Sequence, residues 1–182
     1  MKKVLLILAN GFEEIEALGT ADVLRRLNTE VTLAGVGSAE ICGAHNMLLK
    51  TDAVLTDVAA EDFDAVILPG GMPGAANLDA DAAVDAVLKK AASEKNTVIA
   101  AICAAPFVLA KRGLLNDGKF TMYPGFEAEL GGLNYTSNPA EVDGRIVTGK
   151  GPGAVFDFAA AVAGALGLKN ECEKLYQGMF IK

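Results

Sequence analysis

The sequence predicts an α/β fold built on an open, mainly parallel sheet with helices on both sides. Two observations carry this. Short apolar runs without polar alternation recur along the chain, and longer segments with helical spacing lie between them. Strands covered on both faces lose the in-and-out alternation, and parallel neighbours need a crossover between them, usually a helix. A third observation sets the scale. The chain has 182 residues, of which 52% are hydrophobic, enough for one domain over residues 1–182 with a substantial core.

The elements follow in order. VLLILA (4–9), VTLAGV (31–36), DAVILPG (64–70), TVIAAI (97–102) and RIVTG (145–149) read as strands. Helical segments are expected at about 12–27, 78–92, 104–112, 154–167 and 170–179. VDGR at 142–145 has hairpin-turn chemistry, so antiparallel pairing is expected late in the chain. The stretch 37–56 is less regular and reads as a small ribbon or loop. In open parallel sheets, ligands bind outside the carboxyl ends of the strands, where strand order reverses. A flavodoxin-like order would bring the ends of the first, third and fourth strands together.

Composition narrows the function. A net charge of −7 argues against nucleic acid and anionic membrane surfaces, which select clustered Lys and Arg. No apolar run is long enough to span a bilayer. The opening MKKVLLILANGFEE resembles a signal peptide, but its apolar part is short and Glu13, Glu14 and Glu16 follow at once. A buried first strand is the expectation. Cys42, Cys103 and Cys172 are an odd number without metal-ligand spacing, which suits a reducing cytoplasm. His45 is the only histidine, so no zinc site built on histidines is expected.

Four segments fall at strand ends: NGFEEIE (10–16), PGGMPG (69–74), CAAP (103–106) and KGPG (150–153). Glu13 and Glu14 sit where a helix start favours negative charge. Glu16 shares a stripe with Thr20, Val23, Leu24 and Leu27, and a carboxyl drawn into that face loses hydration. Its pKa is expected to rise, which would let it donate a hydrogen bond; an exposed first-turn glutamate is the plainer alternative. The glycines of PGGMPG let backbone N–H groups approach a ligand, though a tight turn explains them as well.

Cys103 stands where an apolar strand turns straight into a helix. Such an elbow holds a side chain up at the sheet's edge, often with backbone strain. Ala104 and Ala105 permit the turn, and Pro106 suits a first helical turn. The helix end favours a thiolate, and a protonated Glu16 would favour it further. Buried cysteines are more often inert filler, but filler has no need of this position. No histidine follows the sulfur closely, so a Cys–His peptidase is disfavoured.

Taken together, these segments resemble the ThiJ/PfpI superfamily, on the branch of the Parkinson-associated deglycase and its bacterial relatives. The resemblance covers ILANGFEEIEA (7–17), DVLRR (22–26), VTLAG (31–35), DAVILPGG (64–71), AAICAAP (100–106), GKGPGAVFDFA (149–159) and the closing helix. It implies a flavodoxin-like three-layer α/β/α sandwich that forms a homodimer. It also implies a reactive Cys103, a protonated Glu16 partner, and an anion pocket made by the N–H groups of Gly71 and Ala104. The activities implied are glyoxalase III chemistry on methylglyoxal or glyoxal, deglycase chemistry on their adducts, and oxidant sensing or redox-controlled chaperoning. No metal or organic cofactor is implied. One departure stands out: Tyr123, in FTMYPGF (120–126), occupies the place where the branch often has a histidine. A phenol donates a hydrogen bond but is a poor general base near neutral pH. Cys42 falls roughly on the family's ribbon cysteine, and His45 could take the ribbon's basic role.

Overall fold

Successive residues of the first strand face opposite cores. Val4, Leu6 and Leu8 pack into one apolar cluster, Leu5 and Ile7 into another. That double burial is why the strand shows no polar alternation. The computed structural model describes residues 1–58, 63–115, 117–131 and 133–181.

The chain runs β1 (Lys3–Leu8), α1 (Glu14–Arg26), β2 (Glu30–Gly35), β3 (Glu40–Cys42), β4 (Leu48–Lys50), β5 (Ala53–Val54) and β6 (Ala65–Leu68). Then come α2 (Gly74–Ala80), α3 (Ala82–Ser93), β7 (Val98–Ile102), α4 (Pro106–Lys111), β8 (Lys119–Phe120) and β9 (Asn134–Tyr135). β10 (Ala140–Asp143), β11 (Ile146–Gly149), α5 (Val155–Ala165) and α6 (Lys169–Gly178) complete it. Seven strands form the main sheet in the order β10-β11-β7-β6-β1-β2-β5. Every pairing in it is parallel except β10 with β11. Helices α1, α5 and α6 bury their apolar residues on one face, and α2, α3 and α4 on the other. This is the expected flavodoxin-like three-layer sandwich.

The strand readings hold to within a few residues at their ends. The late hairpin is the β10–β11 pair, turning through Gly144 at φ +59°. The irregular 37–56 stretch holds the antiparallel β3–β4 ribbon and the edge strand β5. One reading needs correction. The helix expected over 78–92 is two helices, divided at Asp81, whose carboxylate accepts the N–H groups of Ala83 and Val84. An aspartate that caps a new helix there outcompetes continuation of the old one. The short β8–β9 pair has no counterpart in the sequence reading. Among the described residues no helix is long and apolar enough to cross a membrane.

Candidate functional site

β1, β6 and β7 are adjacent in the sheet, so the segments following them converge. Backbone bonds fasten them to one another. The Glu13 N–H donates to the Gly70 carbonyl at 2.9 Å, and the Gly74 N–H donates to that of Gly11 at 3.1 Å. The loop after β1 also reaches the ribbon, where the Gly11 N–H donates to the Cys42 carbonyl at 2.8 Å.

Cys103 follows β7 directly and adopts φ +65°, a left-handed conformation that side chains other than glycine avoid. Two bonds hold it there. Its N–H donates to the Gly149 carbonyl at the end of β11, and its own carbonyl accepts the Tyr123 N–H, each at 2.9 Å. The strained elbow expected from the sequence is therefore present. Cys103 is 8% exposed, and the backbone N–H groups of Gly71 and Ala104 act to favour negative charge on its sulfur. α4 begins only at Pro106 and is six residues long, so these two amides, more than a long helix dipole, favour negative charge on the sulfur.

Glu16 is 1% exposed, which removes the alternative of a solvated first-turn glutamate. It lies on the face of α1 that also buries Ala17, Thr20 and Leu24. Its Oε2 accepts the Gly70 N–H at 2.8 Å, while Oε1 is buried without a hydrogen-bond partner among the described residues. Burial pushes the Glu16 pKa up to about 7, outweighing the Cys103 thiol and the Gly70 amide, which pull it down; charge on Glu13 adds to the rise.

The thiol itself departs from expectation. Burial, then negative charge on Glu16 and its hydrogen bond, push Cys103 up to about 12, against the opposing pull of the Gly71 and Ala104 amides. Against the expected thiolate, burial and a charged Glu16 both work to hold the proton on sulfur, and the two amides work to release it. Two acidic groups in one dry space share a proton readily and resist losing both.

Gly70 allows this closeness. A Cβ there would lie 2.5 Å from the Cys103 Cβ and 2.8 Å from Glu16 Oε2. Gly71, at φ +90°, would carry a Cβ into the backbone of Gly11 and Glu13. Cys103, Glu16, Gly71 and Ala104 are thus brought together. Tyr123 adjoins them through its backbone, with a 47%-exposed ring set edge-on to Phe126.

His45 is placed elsewhere. It sits in the turn between β3 and β4, its side chain 63% exposed. Its N–H donates to Glu14 Oε1 at 2.7 Å, and its Nδ1 lies 2.8 Å from Glu14 Oε2 and 3.6 Å from Glu13 Oε2. Burial tends to raise the Glu14 pKa, but the bonds from His45 outweigh it and the net shift is downward; the same carboxylate raises His45. The described contacts of His45 reach the acidic helix start, not the sulfur. Glu13 and Glu14 do more than answer a helix dipole: both are buried, and Glu14 fastens the ribbon to α1. Glu13, Glu14 and His45 present ligand atoms within 4.8 Å of one another, but both Glu14 oxygens already serve His45.

Sequence reasoning missed the roles of Gly70 and Gly149. Gly70 was visible only as part of a glycine-rich turn, and nothing local marks the Gly149 carbonyl.

Comparison with known proteins agrees with this geometry. Residues 2–165 match the model of the DJ-1/PfpI family. Protein dj-1beta of Drosophila melanogaster is 36% identical over 99% of this chain and 97% of its own. Glutathione-independent glyoxalase DJR-1.2 of Caenorhabditis elegans is 33% identical over 90% and 87%, and deglycase PH1704 of Pyrococcus horikoshii 32% over 85% and 93%. Among solved structures, the DJ-1 superfamily protein STM1931 of Salmonella typhimurium superposes with a TM-score of 0.94 at 34% identity, covering 100% of both chains. Oxidized DJ-1 of Toxoplasma gondii also gives 0.94, at 33% identity over 99% of this chain and 98% of that one. With a family match over most of its length and relatives of this similarity, the chain belongs to the DJ-1/PfpI family.

Proposed function

We propose that this chain is a cysteine-dependent, cofactor-independent enzyme that converts 2-oxoaldehydes such as methylglyoxal and glyoxal, or their adducts, to 2-hydroxy acids. The observation that carries the reading is the Glu16 carboxyl buried against the Cys103 side chain beneath Gly70, with two amides that favour negative charge on the sulfur. Relatives named as a glyoxalase and a deglycase agree with it.

The chemistry follows from the shared proton. Glu16 as carboxylate takes the thiol proton while sulfur bonds to the aldehyde carbon. The resulting oxyanion is held by the N–H groups of Gly71 and Ala104 and takes the proton from Glu16, giving a hemithioacetal. Glu16 then removes the proton from the former aldehyde carbon, forming an enediolate, and the hydroxyl proton passes from that carbon's oxygen to the neighbouring one. Delivery of the Glu16 proton to the neighbouring carbon leaves a 2-hydroxyacyl thioester. One water cleaves the thioester, releasing lactate or glycolate and restoring the thiol. One carbon is oxidised and its neighbour reduced, so electrons balance within the substrate. A carboxyl poised near 7 suits both directions of transfer. Tyr123, joined to Cys103 through the backbone, carries a phenol in place of a general base. His45 serves the ribbon instead of the sulfur in this scheme.

Lactate formation from methylglyoxal by the purified chain, followed by NMR, tests the proposal. The expected result is steady turnover in the wild type and none in Cys103→Ser; full turnover by that variant refutes it.

A second reading makes Cys103 an oxidant sensor that passes through sulfenic to sulfinic acid. The two amides at the sulfur would suit sulfinate oxygens, and an oxidized DJ-1 is among the similar structures. Peroxide titration with mass spectrometry separates the readings: gain of two oxygens at Cys103 without aldehyde turnover favours the sensor, whose output would be a partner or chaperone surface.

The homodimer belongs to this proposal. Ile15 and Leu18 on α1 and Phe156 on α5 are exposed apolar side chains on two helices packed together. A reducing cytoplasm, in which the three free thiols persist, is the compartment proposed. Sedimentation equilibrium reads the dimer directly; a monomer across micromolar concentrations removes it.

A further inference from the structure

Two buried oxygens on α1 have no hydrogen-bond partner among the described residues, Glu16 Oε1 and Thr20 Oγ1. They belong to residues one helical turn apart, and both residues face the core, Glu16 at 1% and Thr20 at 0% exposure. Residues four apart are neighbours on one helix face, and helical side chains lean back toward the N-terminus. Thr20 therefore leans toward the turn that carries Glu16. The other residues that α1 buries from Ala17 onward are Ala17, Ala21, Val23 and Leu24, all apolar.

A threonine inside a helix ordinarily turns its hydroxyl onto the carbonyl one turn back. Thr20 does not make that bond. A dry, unbonded hydroxyl costs stability that a valine of the same shape avoids. Glu16 has the complementary need. Its Oε2 accepts the Gly70 N–H, while Oε1 accepts a donor when the group is a carboxylate and can donate when it is an acid. A hydroxyl or a water serves both forms, since each donates and accepts. Few other groups act on Glu16. The elbow after β7 brings the Cys103 thiol, the loop before α1 brings the Glu13 carboxyl, and the loop after β6 brings only the Gly70 amide. α5, packed on α1, buries Val155, Phe158 and Ala159 and leaves its one acid, Asp157, exposed. β1 and β2 bury no titratable residue.

We propose that Thr20 is a positioning residue for Glu16: its hydroxyl completes the hydrogen bonding of Oε1, with one buried water closing the distance between the two oxygens. The proposal rests on the reading of Glu16 as the group that exchanges a proton with Cys103, and it adds what supports that carboxyl from behind. Hydrogen bonds to a charged group are the stronger kind, so the link favours the carboxylate over the acid and eases release of the Glu16 proton. It also fixes the carboxyl plane, which keeps Oε2 on the Gly70 amide.

Thr20→Val removes the hydroxyl at nearly constant shape, and Thr20→Ser keeps it. The rate of Cys103 alkylation by iodoacetamide against pH, read by mass spectrometry, is compared in wild type and both variants, each shown to be folded by a cooperative urea transition. Thr20→Val is expected to move the midpoint up by about one pH unit, so that well below the midpoint its rate is about tenfold lower. Thr20→Ser is expected to keep the wild-type midpoint. A hydroxyl that only packs changes stability and leaves the midpoint in place. A midpoint unmoved or lowered in Thr20→Val, or a shift as large in Thr20→Ser, overturns the proposal. A crystal structure of the wild type decides the matter without a variant. Density for a water within about 3.2 Å of both Glu16 Oε1 and Thr20 Oγ1 is expected. A Thr20 hydroxyl turned onto the Glu16 backbone carbonyl, with Oε1 unbonded, overturns the link. Neither readout depends on aldehyde turnover. A wild type without a midpoint near neutrality removes the pairing of Glu16 with Cys103 by itself, and the crystal structure still decides Thr20.

Discussion

The Glu16 carboxyl and the Cys103 thiol lie against each other beneath Gly70, and neither titrates alone. Burial resists charge on both, the amides of Gly70, Gly71 and Ala104 favour it, and a single negative charge is the compromise. The pair becomes an anion when Glu16 loses its proton near pH 7, whichever of the two atoms then holds the remaining one.

Reactivity should follow that event. The rate of Cys103 alkylation by iodoacetamide is expected to climb through a midpoint near pH 7 in the wild type. In Glu16→Gln the midpoint is expected to disappear from this range, leaving a rise only at alkaline pH. Mass spectrometry of the Cys103 peptide checks this separately from Cys42 and Cys172. Superimposable profiles for the two proteins would remove Glu16 from the ionisation.

The raised carboxyl pKa also acts on stability. The unfolded chain releases the Glu16 proton near 4.5, the folded chain near 7, so the native state binds more protons between these values. Stability is expected to fall as pH rises through that window, by about 3 kcal/mol at roughly 1.4 kcal/mol per unit. Glu16→Gln carries no such penalty. Urea unfolding at pH 4 and pH 8 is therefore expected to show the variant gaining on the wild type at the higher pH. A gap independent of pH contradicts the burial argument.

Close packing at Gly70 makes a steric prediction. In Gly70→Ala the new methyl meets Cys103 Cβ at 2.5 Å and Glu16 Oε2 at 2.8 Å, so the pair must separate. A loss of about 1–3 kcal/mol is expected, as for other overpacked sites, together with loss of the neutral alkylation midpoint. Gly153→Ala has no neighbour within 4 Å of its new methyl and is expected to change stability by less than about 0.5 kcal/mol. Denaturant melts of both variants give the comparison.

The ribbon has its own pH response. His45 is raised by Glu14 and Glu14 lowered by His45, so their charged pair is complete between the two ordinary values of 4.5 and 6.5. It weakens as pH falls through the depressed Glu14 value or rises through the elevated His45 value. Hydrogen exchange at residues 40–50 is expected to quicken above neutrality after correction for intrinsic rates. In His45→Ala that segment is expected to exchange faster already at pH 6, and equal protection in the two proteins would show the pair to be idle.

Much of this architecture was legible because burial on two sides leaves a mark on strand composition. VLLILA and TVIAAI announce central strands by lacking polar residues, and Glu16 stands out because its helical neighbours at the same angle are mostly apolar. Cys103 was legible from the abruptness of its strand-to-helix junction. What escaped was contact made by backbone across long separations. Glu16 and Gly70 are 54 residues apart, and Glu14 and His45 are 31 apart. No local pattern encodes either bond. The balance within the Glu16–Cys103 pair escaped for another reason: residue types name the groups that compete, while only their depth and spacing set the balance.

The main chain on either side of the Cys103 side chain is fastened to its neighbours, at the amide by Gly149 and at the carbonyl by Tyr123. The sulfur takes no part in those bonds, so the elbow's shape does not depend on it. Cys103→Ala should accordingly leave an intact but unreactive mould, in which an unmodified aldehyde or adduct could be caught and imaged before any bond forms.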